Sequence, residues 1–272
     1  MKTLKTVFAA ALLIGAMSSV GQAEVLLYDN WGAVPWENPD INDGLGRQTG
    51  TQALVPWSNN NKGNFKGAAT VYPSDLPPLG AMLQLTGIGV GSNEYANTWA
   101  SPNKNWIGWD DVKFSTLLNA VRTPWDGHLT HGYGGFFFAG GGQGWNGGSM
   151  ELLVRKGGVY EVQRNGTIEA SGTVGDGWHE WTARLRKSGS DYLASVSCDS
   201  NPVVTDLNVG PLGASYFTLI HSNENTTSGW DGTGSHFENF KVETVPVPEP
   251  ASITCLAAGV GFIGTLLRRR RA

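Results

Sequence analysis

Periodicity is the feature that most constrains this chain. Apolar residues recur at every second position in one short segment after another, and between the two ends no stretch of ten or more residues carries a helical repeat. Trp178 to Arg186 shows the pattern best. Trp181, Ala183 and Leu185 would share one face of a strand, and Trp178, Glu180, Thr182 and Arg184 the other. Ser188-Gly189-Ser190 would then turn the chain into a second alternating run, Tyr192 to Cys198. Glu151 to Arg155 and Val159 to Gln163 flank Gly157-Gly158 as a hairpin does, and Asn165-Gly166 marks the next tight turn. Val25 to Tyr28, Ala81 to Ile88, Val112 to Leu118, Gly135 to Ala139, Tyr216 to Ile220 and His236 to Val242 are further strand candidates. The interval between the first two of these, with Trp31, Trp36, Trp57 and Asn59-Asn60-Asn61, reads as long loops. Many short strands at near-regular spacing predict an all-β sandwich over residues 24–243.

Composition agrees with a single β domain of about 220 residues. Glycine numbers 38, tryptophan 11, and charged residues are only 15% of the chain. The net charge of −4 includes Lys2, Lys5 and the arginines Arg268 to Arg271 at the two ends, so the domain between them is more acidic still. That balance argues against nucleic acid as a partner. Cys255 lies in the C-terminal apolar stretch and leaves Cys198 alone in the domain, where no intramolecular disulfide can form. No activating motif surrounds Cys198, which reads as a small buried hydrophobe.

The ends carry a different message. Lys2 and Lys5 precede an uncharged run from Val7 to Ala16, and Val20-Gly21-Gln22-Ala23 sets small residues at the two positions a signal peptidase reads. Residues 1–23 are therefore expected to be a secretory leader, cut after Ala23. At the other end, the proline-broken Val245 to Pro250 can form neither helix nor central strand. Residues 251–267 follow without a charge, a length near the lower limit for a transmembrane helix, and Arg268, Arg269, Arg270 and Arg271 close the chain. The arginines belong on the cytoplasmic side and the domain outside.

Pro248-Glu249-Pro250, an apolar helix and an arginine cluster, in that order, resemble the PEP-CTERM sorting signal of Gram-negative bacteria that build extracellular polysaccharide and biofilm matrix. The resemblance covers about Val245 to Ala272, and residues 244–272 are expected to be the sorting tail. It implies that an exosortase, a membrane-embedded protease-transferase, is a processing partner. It also implies anchorage in the inner membrane through the C-terminal helix until processing, and then a place at the cell surface or outside the cell.

A second resemblance lies in the domain. The order Trp178-His179-Glu180-Trp181-Thr182-Ala183-Arg184-Leu185, turn, Tyr192 to Val196, and a last strand Phe237-Glu238-Asn239-Phe240-Lys241-Val242 is similar to concanavalin A-like (laminin G-like) jelly rolls. It covers roughly Phe136 to Glu243 and implies a jelly-roll β-sandwich.

No catalytic arrangement stands out. Jelly-roll glycosidases of the laminarinase type carry three acidic residues alternating on one strand, whereas Ser149 to Val154 offers only Glu151. Neither a Gly-x-Ser-x-Gly elbow nor a His-Glu-x-x-His pair occurs. His128 and His131 are three apart but lack a third metal ligand in view. Trp-Asp-Gly recurs at Trp125-Asp126 and Trp230-Asp231, with Trp145-Asn146 as its amide version. The Asx-Gly pair forms a turn, and the tryptophan either plugs the core or stacks on a pyranose while Asp126, Asn146 and Asp231 bond its hydroxyls. Asp110, Asp111, Asp126 and Asp231 are candidates by type for a structural Ca²⁺, although no EF-hand spacing is present. The expectation is an exported, non-catalytic protein that binds carbohydrate or has a structural role in the matrix. The alternative is a glycosidase or lyase acting on polysaccharide.

Overall fold

The structure, a computed structural model, describes residues 22–31, 48–59, 66–72, 82–88, 95–120, 133–141, 149–224 and 234–246. These residues form strands β1 (Val25–Asp29), β2 (Trp57–Asn59), β3 (Lys66–Tyr72), β4 (Met82–Ile88), β5 (Tyr95–Pro102), β6 (Asp111–Ala120), β7 (Tyr133–Phe138) and β8 (Met150–Val154). A 3-10 turn (Lys156–Gly158) leads into β9 (Val159–Arg164), β10 (Thr167–Thr173), β11 (His179–Ser188), β12 (Asp191–Cys198), β13 (Asn201–Gly210), β14 (Thr218–Glu224) and β15 (Ser235–Thr244). Val25–Thr244 make up one compact unit.

The strands build two antiparallel sheets. One runs β13-β12-β11-β6-β15-β4-β3, with β1 also paired to β15, and the other runs β10-β9-β8-β7-β14-β5-β2. The architecture is an all-β sandwich, as the alternation predicts, of the jelly-roll kind that the resemblance implies. In β11 the inward residues Trp181, Ala183 and Leu185 are buried at 1% exposure or less, and Glu180, Thr182 and Arg184 face out. Period-2 burial of this kind is what a sheet with one solvated face requires.

Tight turns follow the local chemistry. Asn165 and Gly166 take positive φ (48° and 78°) between the paired Arg164 and Thr167, the two-residue turn whose twist matches its strands. Asp199 and Ser200 do the same at 47° and 66° between Cys198 and Asn201. At Gly158 the requirement is space as well as φ: a Cβ there would lie 1.8 Å from the Gly175 carbonyl oxygen.

An aromatic column joins the layers. Phe217 stacks on Phe114 of β6 (4.7 Å, 9° between planes) and packs against Phe136 of β7 (4.8 Å) and Phe240 of β15 (5.4 Å). Trp57 continues the column from Phe240 (4.9 Å) to Trp31 (4.8 Å). Each fully buried ring of this size contributes roughly 1.5–3 kcal/mol through removal of apolar surface from water.

The structure corrects the reading of the N-terminal third. The interval expected to be long loops supplies β2 and β3, and Trp31 and Trp57 sit in the core at 1% and 3% exposure. The reason is a buried polar anchor. Oδ2 of Asp29 accepts hydrogen bonds from Gln48 Nε2 and Trp57 Nε1, each at 3.0 Å, and Oδ1 accepts one from the Trp31 amide at 2.9 Å. Trp36 lies outside the described residues. Strands β5, β10 and β13 also went unpredicted. β10 and β13 are edge strands with no fully buried residue, so no apolar alternation betrays them.

β15 is shared along its length. Ser235 to Phe237 pair with β4, and Phe240 to Glu243 pair with β1. Asn239, at φ 52°, forms the bulge between the two stretches, and its side chain accepts a 2.8 Å hydrogen bond from the Tyr28 hydroxyl.

Met1–Glu24 and Val245–Ala272 are grouped as a second unit, nearly all of it outside the described residues. Residues 1–21 of the expected leader and all of the predicted helix at 251–267 lie outside the described residues, whereas Ala23 is described and exposed. No helix among the described residues is long and apolar enough to cross a membrane.

Candidate functional site

Three consecutive phenylalanines, Phe136 to Phe138, open the site. In a strand, neighbours point to opposite faces, so Phe136 and Phe138 enter the core and Phe137 is sent to the outer face of the seven-stranded sheet. There Phe137, Leu153 and Ile220 form a second apolar cluster, buried at 6% exposure or less, with the half-buried rings of Trp99 and Tyr133 packed against it. Register explains the grouping. Trp99, Ile220, Gly135, Leu153 and Glu161 sit side by side across five strands, from β5 through β14, β7 and β8 to β9. Gly135 leaves the middle of that row without a side chain. One row away, Phe137, Glu151 and Gln163 lie abreast, and Tyr133 pairs with Ser222 on the other side.

The polar members of this face differ in their electrostatics. Burial pushes the Glu151 carboxyl above the usual carboxylate range. Glu161, one diagonal step away, is held below it by Arg155, whose Nη1 donates at 2.6 Å, and by Gln163, whose Nε2 donates at 2.7 Å. Burial raises the Tyr133 hydroxyl, which is also hydrogen-bonded to Ser222. The face therefore offers aromatic edges, an apolar floor, and hydrogen-bonding groups of unlike charge on one rigid sheet. The signal in the sequence was Phe136-Phe137-Phe138 itself, because a strand apolar on both faces is not simply solvated on one side.

The tryptophan motifs lie outside the described residues: Trp125, Asp126, His128 and His131 in 121–132, Trp145 and Asn146 in 142–148, Trp230 and Asp231 in 225–233. The strand ends that flank them are described. Ala120 pairs with Ser235, and Tyr133 with Ser222, so the strand ends that flank the first and third segments lie at the same end of the sandwich. The segment with Trp145 and Asn146 is flanked by the paired strand ends Phe138 and Met150, at the opposite end.

Of the aspartates considered for calcium, Asp111 has both carboxylate oxygens taken by Arg184, at 2.7 and 2.5 Å. Asp110 is a mostly exposed side chain 4.0 Å from Lys187. Both sit at the start of β6, the far end of that strand from Ala120. Cys198 is buried, and its thiol is pushed up to about 12 by burial and by the neighbouring Asp199 carboxylate, so the free side chain is a thiol and not a nucleophilic thiolate at neutral pH.

No curated protein matches the chain in sequence. Among solved structures, the carbohydrate recognition domain of Emp47p matches with a TM-score of 0.44 at 14% identity, over 78% of this chain and 96% of that one. The exoplasmic/lumenal domain of VIP36, in a Ca²⁺- and mannose-bound form, matches with a TM-score of 0.44 at 11% identity, over 79% and 91%. A sialidase matches at 0.42 and 13% identity, over 66% of this chain and 16% of its own length. Residues 246–271 match the family model of the PEP-CTERM protein-sorting motif, so the tail that carries Pro248, Glu249, Pro250 and Arg268 to Arg271 is a signal for export and sorting.

Proposed function

We propose that this is an exported, non-catalytic protein, processed by an exosortase, whose sandwich binds carbohydrate on the outer face of the seven-stranded sheet. The observation that supports the binding reading is the placing of Trp99 and Tyr133 at the margin of an apolar floor beside Glu151, Glu161 and Gln163. A sugar ring has an apolar face for the aromatic side chains and hydroxyls for the polar ones. Trp125, Asp126, Trp230 and Asp231 are proposed to add contacts from the end where Tyr133 lies, with Trp145 and Asn146 serving a separate contact. Exosortase processing would release the domain from the inner membrane to the cell surface or matrix.

The test is retention on a glycan array and on isolated matrix polysaccharide, with and without Ca²⁺. Binding is expected, and Trp99→Ala, Trp125→Ala and Trp230→Ala are each expected to weaken it at least tenfold. Absence of retention under both conditions would leave a structural role.

One observation favours the enzymatic alternative. Glu151 and Glu161 share a face on neighbouring strands and are pushed in opposite directions, as an acid and a carboxylate base would be. Release of reducing sugar from a bound polysaccharide, abolished by Glu151→Gln, would establish it.

A further inference from the structure

We propose that His179, Cys198 and Asp199 bind a single Zn²⁺ ion at the end of the eight-stranded sheet, a site independent of the carbohydrate face. His179 begins β11, Cys198 ends β12, and Asp199 is the first residue of the two-residue turn into β13. Trp181 pairs with Cys198, so His179, two residues before Trp181, points to the same side of the sheet as the thiol. The turn then swings Asp199 back. One carboxylate oxygen accepts from the Glu180 amide at 2.9 Å, and the other lies 2.7 Å from His179 Nδ1.

The result is one nitrogen, one sulfur and one oxygen donor, all within 4.8 Å of one another. Around tetrahedral zinc, with bonds of about 2.0–2.3 Å, such atoms sit about 3.3–3.8 Å apart, within the span that the three donors already occupy. A mixed nitrogen, sulfur and oxygen set with three protein ligands suits zinc and leaves a fourth position for water.

Two further features support the site. His179 Nε2 is buried and has no hydrogen-bond partner among the described residues, so the turn does not account for the whole ring. The ligands also come from paired strands and a pinned turn, which hold their geometry, while the half-exposed Asp199 gives the ion a path from solvent. On binding, the Sγ–H bond breaks and an Sγ–Zn bond forms; the proton leaves to bulk water, and no redox change occurs.

The experiment uses the full-length protein purified in detergent, stripped with chelator and titrated with Co²⁺. One equivalent is expected to bind, with a thiolate-to-cobalt charge-transfer band that Zn²⁺ bleaches and Cys198→Ser abolishes. Asp199→Asn keeps the turn, because asparagine tolerates positive φ, and is expected to weaken binding at least tenfold. A protein that develops no charge-transfer band, or an Asp199→Asn variant that binds cobalt as the wild type does, would overturn the proposal. Should Cys198→Ser fail to fold, the Asp199→Asn titration decides.

Discussion

Trp57 donates its indole N–H to Oδ2 of the fully buried Asp29 at 3.0 Å, and the contact joins the first strand of one sheet to the edge strand of the other. The indole ring meanwhile packs between Trp31 and Phe240, so one side chain supplies both packing and polar satisfaction. A buried carboxyl group needs such donors, because each one lost leaves a desolvated acceptor unmet.

Trp57→Phe should keep most of the ring packing and remove only the donor. A loss of about 2 kcal/mol is expected, roughly 4–8 °C in melting temperature for a domain of this size. Asp29→Ala, which strands three donors at once, should cost more. A Trp57→Phe melting curve that overlays the wild type would show the bond contributes nothing.

Acid should weaken the domain through His221. The side chain is 1% exposed, its Nδ1 lies 2.9 Å from Ser235 Oγ, and burial, reinforced by nearby His236, lowers its pKa to about 4. A depressed folded pKa means that above about 6.5, the unfolded value, neither state is protonated and no penalty applies. As pH falls from 6.5 towards 4 the unfolded chain gains a proton that the folded one refuses, and stability drops by up to about 3 kcal/mol. His221→Gln should flatten the decline in melting temperature across that window while the wild type falls.

Two glycines should respond differently to the same change. Gly158 and Gly189 have nearly equal φ, 67° and 65°. A Cβ at Gly189 meets nothing within 4 Å, whereas at Gly158 it collides with Gly175. Gly189→Ala should cost about 1 kcal/mol from backbone strain alone, and Gly158→Ala at least about 3 kcal/mol, since Gly158 also accepts the Val174 amide at 3.0 Å. Equal denaturant midpoints for the two variants would refute the distinction.

Truncation after Thr244 should separate sorting from folding. β15 ends at that residue, and Val25–Thr244 make up the compact unit. The shortened protein is expected in the soluble fraction with an unchanged melting curve. Loss of the cooperative transition would mean the tail contributes to the fold.

Local chemistry alone determined a good deal of this protein. Alternation named β11, β12 and β15, Gly157-Gly158 and Asn165-Gly166 named the turns on either side of β9, and the order of residues 246–271 identified the sorting motif. Each of these is a short-range pattern, set by the pleat of a strand, the φ of a turn or a linear signal. The tertiary structure decided what depends on long-range pairing. Asp29 and Trp57 are 28 positions apart, and nothing local says that a polar residue will draw a tryptophan-rich interval into the core. Edge strands β10 and β13 exist because a neighbour offers them a ladder, which their own residues do not advertise. Trp99, Tyr133, Glu151 and Glu161 come from four strands, and only register brings them to one face. His179 and Cys198 likewise became neighbours through antiparallel pairing, because a ladder brings together residues that sequence distance keeps apart.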